Sequence, residues 1–188
     1  MSDLLVLHRR ALDDFGRRVA AVHPNQWHGR TPCAQWEVRQ LVNHLVVELL
    51  WVPPLLAGAT IAEVGNRFEG DHLGEEPFEM WEDVSEAGWA AFTAPGALER
   101  TVHLSYGDRR AAGYGWELTA DLLVHAWDLA RAIGGDETLD SELVRVVYDR
   151  TAPHVEELAA SGYFDPPVPV SDDADLQTRL LALYGRSA

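Results

Sequence analysis

The chain has 188 residues and a mass of 20.9 kDa, with 47% apolar and 24% charged residues, which excludes a disordered or fibrous chain. Fifteen basic residues against thirty acidic ones give a net charge of −15, which excludes the basic stripe that binding to DNA, RNA or an anionic membrane requires. The single cysteine, Cys33, excludes an internal disulfide and a multi-cysteine zinc site.

The N-terminal run MSDLLVLHRRALDD lacks the basic-then-apolar order of a secretion signal. No apolar run approaches the ~20 residues of a membrane span. A cytoplasmic protein is therefore expected, with neither nucleic acid nor membrane as partner. From Asp3 to Val22, Leu4, Leu12, Phe15, Val19 and Val22 recur at helical spacing and predict an amphipathic helix. His23-Pro24-Asn25 breaks it, and Gln26 to Cys33 reads as a loop. A second helix is expected from Gln35–Glu37 to about Val52, with Pro53-Pro54 ending or kinking it and Leu55 to Val64 forming a further turn or helix. Residues 65 to 77, rich in Gly and acid, read as an exposed connection.

A third helix fits Pro77 to Thr93, with Trp81, Val84, Gly88 and Ala91 on one side. Arg100 to Tyr106 alternates apolar and polar residues, the period of an extended segment, closed by Gly107-Asp108. A fourth helix spans about Trp116 to Ile133, stopped by Gly134-Gly135. A fifth is expected from Leu139 to Ala160 and a short last one from Asp175 to Tyr184, with the extended run FDPPVPV between them. Helix dominates. The predicted fold class is all-α: a four-helix bundle over residues 1–135, with a short extended segment and additional C-terminal helices over 136–188 packed on the same domain.

The fourth helix carries the chemistry-bearing residues. Leu118, Leu122, Leu129 and Ile133 form an apolar stripe with His125 in its middle, and Asp121 and Asp128 share one shoulder of it. On the second helix His44 flanks the apolar face, and Glu48 follows one turn later. Facing helices of a bundle are where metal sites are built, and three protein ligands leave coordination positions open. Spacing alone leaves bland readings standing. His125 fits a satisfied core histidine, Asp121 a helix-start residue, Asp128 a partner of Arg131, and His44 with Glu48 a polar flank. Cys33 reads first as a buried structural thiol, the seven Trp as core and crevice walls, and His103 on the extended segment as near enough to approach the site. His8, His23, His28, His72 and His154 read as surface residues.

The phrases WEVRQLVNHL and, some eighty residues on, DLLVHAWDLARAIG resemble the metal-binding domain of mycothiol-dependent maleylpyruvate isomerases, a branch of the DinB-like four-helix-bundle superfamily. The ending VPVSDDADLQTRLLALYGR resembles an uncharacterised, actinobacterial-type subgroup of the same family. The resemblance implies a divalent metal, zinc first with nickel, iron and manganese open, held by His44, Asp121 and His125. It implies support or a pocket wall from Asp128, which matches the family's His-x-x-Asp pattern, and mycothiol as co-substrate; Glu48, one turn beyond His44, and His103 join it as pocket candidates by position alone. The isomerase has Glu where Asp121 stands and a separate C-terminal domain longer than residues 136–188, so the metal site is expected rather than maleylpyruvate isomerisation itself. The expected function is a transferase or isomerase that uses a low-molecular-weight thiol on an electrophilic small molecule. The alternative is a non-catalytic metal- or ligand-binding bundle. Surplus apolar surface on the last helices fits a homodimer.

Overall fold

Burial follows the helical stripes, and the computed structural model describes residues 2–171 and 173–188. The elements in chain order are α1 (Ser2–Ala20), α2 (Val38–Leu56), the single turn α3 (Ile61–Val64) and α4 (Pro77–Thr93). Strands β1 (Thr101–Leu104) and β2 (Gly107–Arg110) follow, then α5 (Ala111–Ile133), α6 (Ser141–Thr151), α7 (Val155–Ser161) and α8 (Leu176–Leu183). The chain divides into two compact units, Met1–Gly135 and Asp136–Ala188. No helix among the described residues is long and apolar enough to cross a membrane.

The first unit is a four-helix bundle. Helix α1 packs on α4 and α5, and α2 packs on the same two, so α1, α4, α2 and α5 close a ring. Its centre is filled by Leu12 and Phe15 of α1, Leu41, Leu45 and Leu49 of α2, Phe92 of α4, and Leu122 and Leu129 of α5, all at most 2% exposed. Removing apolar surface of this extent from water is the main stabilising term.

Four elements differ from the sequence expectation, each for a local reason. Helix α2 runs through Pro53-Pro54 to Leu56: the prolines fall in its last turns, and burial of Val52, Leu55 and Leu56 holds them in register. Residues 101–110 form a hairpin of two antiparallel strands rather than one extended segment, pairing Thr101 with Arg110 and Leu104 with Gly107. Helix α5 begins at Ala111, five residues early, because the hairpin feeds straight into it. Gly113 and Gly115 hide that first turn from propensity arguments. Gly115 sits in close quarters there: a Cβ would lie 3.2 Å from Leu4 Cδ2 and 3.3 Å from Phe92 Cε1, so those side chains would have to shift by a few tenths of an ångström. The expected fifth helix is interrupted at Pro153, where a 3₁₀ turn over Ala152–His154 separates α6 from α7.

In the second unit α6 packs on α8. Asp140 caps α6 through the Glu142 and Leu143 amides, and Asp175 caps α8 through the Thr178 amide. Leu143, Val144 and Val147 meet Leu180 and Leu181 in its core.

His8 is not a surface residue. It lies one turn from Leu4 and from Leu12 on the inward face of α1 and is 1% exposed. The Thr119 hydroxyl donates to the Gly115 carbonyl at 2.6 Å, so it accepts from His8 Nδ1 at 2.9 Å. That leaves Nε2 of the ring without a hydrogen-bond partner, against the Phe92 ring at 5.2 Å. Burial lowers the His8 pKa from 6.5 to about 4. The unfolded chain therefore takes up a proton at this position between pH 6.5 and about 4 while the folded chain does not, so stability falls with pH across that window. The loss is about 3 kcal/mol at 1.36 kcal/mol per pH unit. In urea titrations of metal-free protein, His8→Leu should lose less stability than wild type between pH 7 and 4, by about that amount. Parallel pH profiles for the two proteins would contradict this assignment.

Candidate metal centre

Asp121, His125 and Asp128 recur at intervals of four and three along α5, which brings them to one shoulder of that helix. Facing them, α2 presents His44. The two elements meet through a carboxylate. Asp121 Oδ2 lies 3.0 Å from His44 Nε2, and Asp121 Oδ1 lies 3.2 Å from His125 Nε2. One donor atom from each of the three residues falls within 4.8 Å of the others. The imidazole rings stand edge to face with centroids 5.2 Å apart. A tetrahedral ion with ligand bonds of about 2.0–2.1 Å separates nitrogen and oxygen donors by about 3.3 Å. The two nitrogen–oxygen spacings, each to a different oxygen of Asp121, are within a few tenths of an ångström of that, and the N₂O set suits borderline divalent ions.

The outer nitrogen of His125 is held as well. Its Nδ1 lies 2.9 Å from Oδ2 of Asp128, a residue with no solvent exposure. A proton fixed on Nδ1 leaves the Nε2 lone pair directed at the Asp121 side, the usual arrangement behind a metal-binding imidazole. Burial by itself would lower the His125 pKa, but the Asp121 carboxylate, with Asp128 behind it, outweighs burial and raises it well above the ordinary value. Burial likewise opposes ionisation of Asp121, and the charges of His125 and His44 outweigh it and hold the carboxyl well below its usual range.

Glu48, one turn beyond His44, is half-buried. Burial raises its pKa, opposed by His44 and His125 and reinforced by Asp121, so its carboxyl senses the whole cluster. His103 lies on β1 with Nδ1 2.7 Å from Asp108 Oδ1 across the hairpin. Arg131 also places its guanidinium over the Trp127 ring at 4.2 Å.

Two site residues were not picked out by spacing. Cys33 is half-buried rather than buried, with Sγ 3.1 Å from Asp128 Oδ2, to which its thiol donates, and 3.7 Å from His125 Nδ1. Trp36 lays its ring over both imidazoles, 4.6 Å from His44 and 5.6 Å from His125 between centroids. The approach to α2 delivers both. Thr31 Oγ1 lies 3.0 Å from the Cys33 carbonyl and 2.8 Å from the Trp36 carbonyl, and the Trp36 amide donates to the Cys33 carbonyl at 2.8 Å. That loop is pinned to α2 by the Val38 and Arg39 amides, which donate to the Gly29 and Trp27 carbonyls. The capping box of Glu37 with Gln40 then starts the helix. A Thr-x-Cys-x-x-Trp run just ahead of a helix was the available signal, but nothing in its period shows which way the loop folds.

Residues 8–130 match the model of the mycothiol maleylpyruvate isomerase N-terminal domain. The chain belongs to that family. Two uncharacterized proteins of Mycobacterium tuberculosis, one from each of two strains, are each 32% identical to it over 168 residues, covering 85% of this chain and 78% of their own. A crystal structure of a mycothiol-dependent maleylpyruvate isomerase mutant superposes with a TM-score of 0.65, at 15% identity over 86% of this chain and 72% of that one. A second crystal structure of that isomerase gives 0.58, at 15% identity over 77% of this chain and 66% of that one. These two structures share the fold with this chain.

The Asp121–His125 pair makes metal entry a competition with protons. Cations need the imidazoles neutral, whereas the raised His125 pKa keeps that ring protonated above its ordinary 6.5. In metal-free protein the pair stabilises the fold fully below pH 6.5 and progressively less as pH rises through the folded value; the Asp121 contribution is lost only as pH falls below 3.8. Apparent zinc affinity, measured by chelator competition, should therefore rise steadily from pH 6 to pH 8; a flat profile would count against the site. At constant pH, His44→Ala and His125→Ala should each weaken zinc binding at least about tenfold, because losing even an outer-shell partner of a metal ligand costs that much. His72→Ala, whose ring packs near Phe68 instead, should leave zinc binding unchanged.

Proposed function

We propose that this protein is a metal- and thiol-dependent transferase or isomerase, in which a low-molecular-weight thiol, mycothiol by family, attacks an electrophilic small molecule. The observation that carries this reading is the meeting of His44, Asp121 and His125 around one point between α2 and α5. The donor set fits a divalent ion: two neutral nitrogens and one carboxylate, in a largely buried setting that otherwise holds an excess of carboxylates. When bound there, a divalent ion holds a thiol sulfur as thiolate at neutral pH and so supplies the nucleophile.

The chain's own residues do the rest. Asp128 keeps the Nδ1 proton of His125 in place, which orients the ring and makes it a better donor. Trp36 covers one side of both imidazoles and screens them from water. Glu48, whose pKa burial raises, stands beside the cluster as the carboxyl available to exchange a proton with a substrate atom. None of these residues is itself a nucleophile in this reading. The attacking sulfur comes from the co-substrate.

The test is consumption of an electrophile such as monochlorobimane with and without added thiol, run beside metal analysis of protein purified without a chelating tag. Thiol-dependent turnover in wild type should fall at least about a hundredfold in His44→Ala, the scale on which charge-stabilising contacts act in catalysis. Glu48→Gln should lower turnover while leaving metal content unchanged. Full metal occupancy with no thiol-dependent turnover would favour a binding protein instead.

A further inference from the structure

His125 has a second donor set on its far side, and we propose that Cys33, His125 and Asp128 form a second cation site, selective for thiophilic ions. The three donor atoms are Cys33 Sγ, His125 Nδ1 and Asp128 Oδ2. They lie 3.7, 3.1 and 2.9 Å apart, in the order S to N, S to O and N to O. A tetrahedral ion bound to sulfur at about 2.3 Å and to nitrogen and oxygen at about 2.0–2.1 Å spaces such donors by about 3.6 Å for the sulfur pairs and 3.3 Å for the other. Side-chain adjustments of about half an ångström bring the observed triangle to that shape. Thiolate in the set favours zinc, cadmium or copper(I) over magnesium or calcium. The half-buried thiol gives ions a route in from solvent, while the fully buried Asp128 and nearly buried His125 form the floor.

Charge strengthens the geometric case. Asp121 and Asp128 flank one imidazole on opposite nitrogens. Each ring nitrogen thus already has an acidic residue beside it that can share an ion, and on the Nδ1 side the Cys33 sulfur adds a third donor. Loading releases the Cys33 thiol proton and the Nδ1 proton to solvent, and no electrons move. With both sites filled the imidazole ring bridges two ions.

This site rests on the proposed function only through the shared ring, so cobalt(II) titration separates the two. Wild type should take up two equivalents, one of them bringing thiolate-to-cobalt charge-transfer absorption in the near ultraviolet. Cys33→Ser should take up one equivalent and lack that absorption. His44→Ala should keep it. Cobalt should also slow alkylation of Cys33 by iodoacetamide at least about tenfold, a readout in unaltered protein. Wild type that binds a single equivalent without charge transfer, and with Cys33 unprotected, would overturn the second site and leave the first standing. A single equivalent whose charge-transfer band disappears in His44→Ala would overturn it too, by placing Cys33 on the first ion. Charge transfer and stoichiometry unchanged in His44→Ala would uphold the second site and sink the proposed function.

Discussion

The candidate site depends on one carboxylate shared between two imidazoles. Asp121 reaches His44 with one oxygen and His125 with the other, so the neighbouring helices α2 and α5 are tied across the interior of the bundle by a charged residue. Without that carboxylate, two rings with centroids 5.2 Å apart would face each other with no opposite charge between them. A buried ion pair of this kind contributes little to stability compared with apolar packing. Its presence in an otherwise leucine-rich interior is therefore better explained by ligand chemistry than by folding. The same logic applies behind His125, where a carboxylate with no solvent exposure takes hydrogen bonds from an imidazole and a thiol.

The architecture converts two weak sequence signals into one arrangement. Each helix alone carries a polar residue or two on an apolar stripe, a pattern that solvated flanks and satisfied core histidines also produce. Only the packing of α2 beside α5 makes His44 a neighbour of Asp121, 77 positions away in the chain. The loop ahead of α2 then closes one side, and its path is set by backbone hydrogen bonds around Thr31 and the capping box at Glu37.

That division explains what was legible before the structure. The bundle helices carry their apolar stripes openly, and the stripes found their places at Leu12, Phe15, Leu41, Leu45 and Leu122. Asp121, His125 and His44 stood out because charged and imidazole groups interrupt those stripes. His8 also lies on a stripe, four residues from Leu4 and from Leu12, yet its polar neighbours Arg9 and Arg10 disguised it as a surface group. Cys33 and Trp36 reach the site through a loop, and a loop has no period from which direction can be read. His103 meets the same limit: extended alternation does not reveal that a second strand will supply Asp108 as its partner. Pro53-Pro54 and Gly113 with Gly115 acted on propensity alone, which tertiary packing overrode.

Every donor atom discussed, from Cys33 to Asp128, lies before Gly135, and the family match ends at residue 130. The donor atoms of the proposed ion sites are therefore contained in the first unit, so a substitution beyond Gly135 removes none of them.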